Sequence, residues 1–410
     1  MSVRLLVLGY LGFIIYGSLY PFSDWRAPAT PLFHFLHFNS NEPLDKADVL
    51  QNVLVYMPLG MLMVLWFKDK IRYFPALLCA TLFGTGLSLV VESIQQYLPS
   101  RVSSLSDLAM NALGTFIGGI LAAFLTRETV SGARIGRLRD AWFRAGPLPD
   151  IGLIAIALWV LSQTSPLVPS LDVGHLRQGL ALLKRSIAEF PNLNLAQTCI
   201  YALYIEGLAL LAVTLKAPGR KIGLLYLLLV GAVLLCKVLV VGRQLSLEAM
   251  IGAVTAASLL PCLRMSNFKA AFCGMGMVAA GFSLQELTSV DGAATHAFNY
   301  IPFTGQMASL SGLENILEVF WPFWAIAYFA RYLTPLYRRD EVAWFGGGAL
   351  IVALFLLEWH QQILPGRFGD ITQVLIGVLG WTIPWFIGES DYVDPRRNAA
   401  SDTRYFSTTS

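Results

Sequence analysis

Charge is what this chain has least of. Only 13% of its 410 residues are Asp, Glu, Lys or Arg, about half the share of an ordinary soluble domain. That scarcity excludes a large water-soluble helical protein, whose helices need polar outer faces. The formal net charge is only +3 and no long basic run is present, which excludes nucleic acid as a partner. Cysteine is scarce too. Cys79, Cys199, Cys236, Cys262 and Cys273 lie in or beside apolar runs at irregular spacing. They read as packing residues, not as a metal site or a disulfide framework. No nucleophile motif, metal triad or phosphate-binding loop occurs, so no catalytic residue, metal or cofactor is assigned.

Apolar side chains are abundant, at 56%. They fall in runs of about 16 to 22 residues, and about 20 suffice to cross a bilayer as a helix. Twelve spans are expected, near 5–20, 49–67, 74–97, 107–125, 151–168, 195–215, 222–241, 247–263, 268–287, 315–333, 342–361 and 372–388. The first is read as uncleaved, because Pro21-Phe22-Ser23-Asp24 follows it without a small-residue cleavage site. The expected fold is therefore all-α, a polytopic helical bundle whose first partner is the lipid bilayer.

Cytoplasmic loops carry the excess of Lys and Arg. With the N-terminus inside, twenty such residues fall on inner segments, including Arg127–Arg144, and eight on outer ones, among them Arg101, Arg243 and Arg367. Lys237 falls within a span and makes up the 29. Both termini are expected in the cytoplasm, with the chain in the plasma membrane. The polar tail 389–410 reads as disordered.

The chain also resembles itself. Glu92-Ser-Ile-Gln95-Gln96-Tyr-Leu-Pro99-Ser-Arg101 matches Glu358-Trp-His-Gln361-Gln362-Ile-Leu-Pro365-Gly-Arg367 at six of ten positions. Leu113-Gly114 matches Leu379-Gly380, Met57-Pro58-Leu59 matches Trp321-Pro322-Phe323, and Tyr20-Pro21-Phe22 matches Ile301-Pro302-Phe303. A fainter copy has Leu161–Pro166 and Gly242-Arg243 through Gly252, without the Glu-x-x-Gln. Such self-similarity marks repeated units. The expectation is three parallel four-helix units, 1–126, 150–264 and 268–388, with a basic cytoplasmic loop at 127–149.

The order Asn52-Val-Leu-Val-Tyr-Met-Pro58-Leu-Gly60, then Glu92-x-x-Gln95, Arg101 and Ser106-Asp107-x-x-x-Asn111-x-x-Gly114 resembles the VanZ-like membrane family. Asn299-Tyr-Ile-Pro302-Phe303 is similar to that family's early Asn-x-x-Pro-Phe signature. The resemblance is strong over the first unit, moderate over the last and weak in the middle. In the last unit Gln373 stands for Asp107 and Gly377 for Asn111, with Asp370 an acid at a different offset. A founding member of the family lowers susceptibility to teicoplanin. The resemblance thus implies an envelope membrane protein linked to antibiotic resistance, and no reaction.

The residues themselves point to an outer-leaflet polar cluster of Glu92, Gln95, Gln96, Arg101, Asp107 and Asn111. Its counterpart is Glu358, Gln361, Gln362, Arg367 and Asp370. Residues three and four apart share a helix face, and a carboxylate at mid-membrane costs about 2.5–3.5 kcal/mol unless it finds a partner. Arg101 is the expected partner of Glu92 or Asp107, and Ser106 the expected cap of the fourth helix. Two readings stand side by side. One is a clasp between the third and fourth helices, eased by Gly114 and Gly118. The other is a pocket for a lipid headgroup or amphipathic ligand. A carrier or flippase, and an intramembrane enzyme acting on a lipid-linked substrate, are the alternatives. His34 and His37 read as loop packing, His360 as a neighbour of the polar cluster, and Trp66, Trp142, Trp321 and Trp385 as interfacial anchors.

Overall fold

The computed structural model describes residues 3–20, 22–28, 31, 33–36, 46–126, 129–165, 170, 172–188, 193–259, 265–289, 296–303 and 310–387. His37, Pro21, Pro166, Cys262, Arg127, Arg264 and the tail 388–410 lie outside the described residues. Among those described, regular structure is helical and the only pairings of extended backbone are isolated bridges, Phe143 with Lys216 and Asn299 with Asp370.

Long apolar runs coil because a helix satisfies its own backbone, which hydrocarbon demands. The helices are α1 Val3–Leu19, α2 Lys46–Phe67, α3 Tyr73–Gln95, α4 Leu105–Leu125, α5 Val130–Trp142 and α6 Pro147–Thr164. They continue with α7 Val173–Gly179, α8 Ala181–Ala188, α9 Leu195–Leu215, α10 Gly223–Leu239 and α11 Leu247–Leu259. The last four are α12 Asn267–Leu287, α13 Leu310–Leu333, α14 Arg339–Gln361 and α15 Ile371–Phe386. Each expected span falls on one helix. Among the described residues, seven helices are long and apolar enough to cross a membrane. The outward faces of the apolar helices carry Phe74, Leu82, Leu224, Phe272, Trp344 and Phe345, all more than 60% exposed. Water tolerates no such belt; a bilayer does. The chain is a helical membrane protein.

Three quartets share one set of pairings. In α1–α4 the second helix packs on the fourth and the first on the third. The same holds for α6, α9, α10 and α11, and again for α12–α15. The middle and last quartets are fused through α9 against α12 and α6 against α13, over one continuous apolar core. The candidate span within α9 is 67% buried, against 11–39% for the other six, so α9 is the central post. The first quartet has its own core around Val7, Ile14, Tyr56, Leu59 and Met63. It meets the last through α1: the Tyr16 hydroxyl donates to the Pro302 carbonyl at 2.8 Å, and Phe13 packs edge-on against Phe303.

Several expectations change. The segment expected as a basic loop contains the helix α5, capped by Thr129, with Arg139 paired to Asp140 and Asp150. Trp321 and Trp385 are 2% and 3% exposed, so they are core residues rather than anchors. Trp142 is half-buried under Arg220, 5.2 Å from its ring. Gly114 and Gly118 serve α2, not α3. A Cβ on Gly118 would lie 1.8 Å from the Met57 carbonyl oxygen, and one on Gly114 2.4 Å from that of Val53. Cys79 and Cys199 are free thiols on the outside of the fold. His360 is exposed.

Candidate functional site

The first-quartet cluster is assembled by a turn. Helix α3 ends at Gln95, and α4 begins after Ser104, whose extended backbone and side chain form the N-cap. The Ser104 hydroxyl accepts from the Asp107 amide at 3.0 Å, so Ser104 rather than Ser106 is the cap. Glu92 holds the turn from below. Its Oε2 accepts from the Ser104 amide at 3.2 Å, and its carbonyl accepts from the Ser103 hydroxyl at 2.6 Å. A carboxylate 3% exposed thereby gains the polar contacts that burial demands.

Arg101 does not pair with Glu92 or Asp107. Its Nε donates to the Tyr20 carbonyl at 3.1 Å and its Nη2 to the Gly17 carbonyl at 2.9 Å. The last carbonyls of a helix lack intrahelical donors, and the planar guanidinium fork supplies two at once. Burial lowers the Arg101 pKa from its ordinary value, though arginine remains charged in proteins. Gln95 ties α3 to the same end of α1, donating to the Ser18 carbonyl at 2.8 Å. The clasp therefore joins α3 and the turn to α1 as well as to α4.

From α2, Asn52 donates to Asp107 Oδ1 at 2.6 Å. Asn111 donates to Ser88 at 2.9 Å, while its Oδ1 is buried without a hydrogen-bond partner among the described residues. These side chains surround a cavity of about 340 Å³ lined from α1, α2, α3, the turn and α4, with Ile316 of α13 at one wall. Glu92, Gln95, Arg101, Asp107 and Asn111 all line it; Gln96 does not. Its lining reaches the surface at the α3–α4 turn, where the 82% exposed Val102 stands beside Ser100. At about 30 Å³ per water, the volume holds roughly ten waters or a compact polar group. Sequence reading missed the α2 wall. Asp48, Asn52 and Tyr56 recur every fourth residue at the head of an apolar helix, a polar stripe that marks this face.

The counterpart in the last quartet has the same frame of hydrogen bonds. Glu358 Oε2 accepts from the Asp370 amide at 3.1 Å, as Glu92 does from Ser104. Asp370 caps α15, accepting from the Thr372 amide at 2.8 Å and its hydroxyl at 2.6 Å. It therefore takes the place of Ser104, which explains its offset from Asp107. Gln373, in the place of Asp107, donates to Asn315 of α13 at 3.1 Å. Gln361 donates to Glu286 at 2.6 Å and Glu358 at 3.2 Å. Gln362 is at the rim, accepting from the Phe298 amide at 3.2 Å. Arg367 forks onto the carbonyls of Thr288, at 3.1 Å, and Gln285. Thr288 thus stands where Tyr20 does, so Ile301-Pro302-Phe303 does not occupy the place of Tyr20-Pro21-Phe22. Both phenylalanines nevertheless share a left-handed φ, 60° and 61°.

Among the described residues no group of three or more His, Cys, Asp or Glu is placed to hold a metal ion. No curated protein and no solved structure matches the chain. Residues 5–126 match the model of the VanZ/LLP1 family. That stretch runs from α1 to the cap of α4 and contains every cavity-lining residue except Ile316. The first quartet of this protein is a VanZ-like membrane domain.

Proposed function

We propose that this protein is a VanZ-like component of the cell envelope that binds the polar end of an amphipathic ligand, such as a lipid headgroup, in its first-quartet cavity. The observation that carries this is a cavity of about 340 Å³ at the helix ends. Asn111, one of its lining residues, has a buried Oδ1 without a hydrogen-bond partner among the described residues. An unsatisfied buried polar atom costs about 1–3 kcal/mol, and a ligand that satisfies it regains that energy.

The arrangement around the cavity is three parallel units of four spans in the plasma membrane, with both termini inside and the cavity opening outward. The excess of Lys and Arg on alternate segments favours this topology, and the recurring pairings and arginine forks favour the repeat. The similarity of residues 5–126 to the VanZ/LLP1 family is what supports a role in glycopeptide susceptibility or lipid homeostasis. The middle and last quartets act as scaffold.

The test is complementation of a deletion strain, scored by susceptibility to teicoplanin and other envelope-active agents. Glu92→Gln and Asn111→Leu should reach wild-type abundance and fail to complement. Full complementation by both would remove the cavity from the function. Loss of the protein itself would make the cluster a structural clasp. Substrate flux in proteoliposomes would favour a carrier, and a chemically altered lipid an enzyme.

A further inference from the structure

We infer that Arg101 anchors an anionic oxygen group of the ligand, a phosphate or a carboxylate; this rests on the cavity being a binding site. Three arginines stand in one local frame. Arg101, Arg243 and Arg367 each precede a helix-capping residue by three, namely Ser104, Ser246 and Asp370. Each directs Nε and Nη2 at two carbonyls three residues apart. For Arg243 these are Ser165 at 2.7 Å and Ser162 at 2.9 Å.

The remaining nitrogen separates them. Nη1 of Arg243 faces Glu318 at 3.5 Å, with Glu314 at 3.2 Å from Nη2. Nη1 of Arg367 faces Glu286 at 3.4 Å. Among the described residues no carboxylate pairs with Arg101, whose side chain lines the cavity instead. A partly buried cation without a counter-charge is costly, and a bound oxyanion relieves that cost through charge-assisted hydrogen bonds.

The last quartet indicates where such a group sits. Gln285 and Gly17 present equivalent carbonyls, so Glu286 stands where Ser18 does. Its carboxylate takes the Gln361 amide and the Arg367 guanidinium. In the first quartet Gln95 and Arg101 stand in those places, and Ser18 offers Gln95 only its backbone carbonyl. Asp48 also lines this cavity and is solvent-exposed, and Glu92 and Asp107 in it do not forbid an anion. The latter two each already accept a hydrogen bond from the protein. In the last quartet, moreover, the Gln361 amide stands between the Glu286 and Glu358 carboxylates. The chain thus carries its own anion in two quartets and leaves the third place open.

The experiment places the full-length protein in uncharged maltoside micelles. Inorganic phosphate and acetate are titrated by calorimetry, and phosphatidylglycerol retention is read by native mass spectrometry. Wild type should take up one equivalent of an anion. Ser18→Glu, which supplies the carboxylate that Glu286 supplies elsewhere, should weaken uptake at least about tenfold while keeping the wild-type melting temperature. Arg101→Lys should weaken it as well. Uptake of phosphatidylglycerol without phosphate identifies a lipid headgroup, and uptake of both a free anion; either supports the anchor. Wild-type affinity in Ser18→Glu overturns it. So does a protein that ignores every anion yet binds ethanolamine, which would leave the cavity reading standing. Indifference to all of these probes removes both.

Discussion

The Arg101 guanidinium reaches across 84 positions of sequence to the Gly17 carbonyl at 2.9 Å. The contact ties the α3–α4 turn to the end of the first helix, and Arg243 and Arg367 repeat it. A hydrogen bond from a charged donor is worth about 1.5–3 kcal/mol, and here two act from one rigid fork.

Lysine should not replace these arginines. Arg243→Lys keeps the charge but cannot hold Ser162 and Ser165 together, and it weakens the pairs with Glu314 and Glu318. A loss of about 1.5–3 kcal/mol is expected from the lost charged hydrogen bond, seen as a lower melting temperature in detergent. An unchanged melting curve would make the fork incidental.

The α2–α4 contact depends on the absence of side chains. Gly118→Ala puts a Cβ 1.8 Å from the Met57 carbonyl, between two backbones that cannot give way cheaply. Overpacking of this kind costs about 1–3 kcal/mol or more. Gly86→Ala meets nothing within 4 Å and should stabilise α3 by about 0.5–1 kcal/mol. Equal melting temperatures for the two variants would contradict the close approach.

Two tryptophans should behave oppositely. Trp321 packs 4.8 Å from the Tyr204 ring inside the fused core, so Trp321→Ala should cost about 3–5 kcal/mol. Trp344 is 76% exposed, and Trp344→Ala should leave folding in detergent nearly unchanged. Thermal unfolding of the pair decides between core and anchor for Trp321.

Sidedness is open to labelling. In a variant without the native cysteines, Val102→Cys in the cavity lining should react with a membrane-impermeant maleimide in intact cells. Leu138→Cys on α5 should react only after lysis. Both positions are well exposed, at 82% and 64%. The reverse pattern would put the cavity on the cytoplasmic face.

Much of the fold was legible in the residues. Apolar run length alone locates the membrane helices, because a bilayer imposes one length and forbids unsatisfied backbone. The matched stretches at Glu92 and Glu358 also marked the right turns, since a capped turn between two helices is local and its residues are neighbours in sequence. Helix α5 was not legible from apolar runs, because its positive charges obscured a capped amphipathic segment.

Partners remote in sequence were decided by the tertiary structure. Composition shows that Arg101 and two carboxylates are near one another, and charge complementarity suggests a pair. The packed helices instead bring the open carbonyl end of α1 within reach, and unpaired helix-end carbonyls compete for the same donors. Likewise, matched motifs in the first and last quartets do not reveal that Glu286 occupies one site and Ser18 leaves the other open. That difference arises on a helix about 80 residues away, and only the folding together of the four helices sets the two against the same guanidinium.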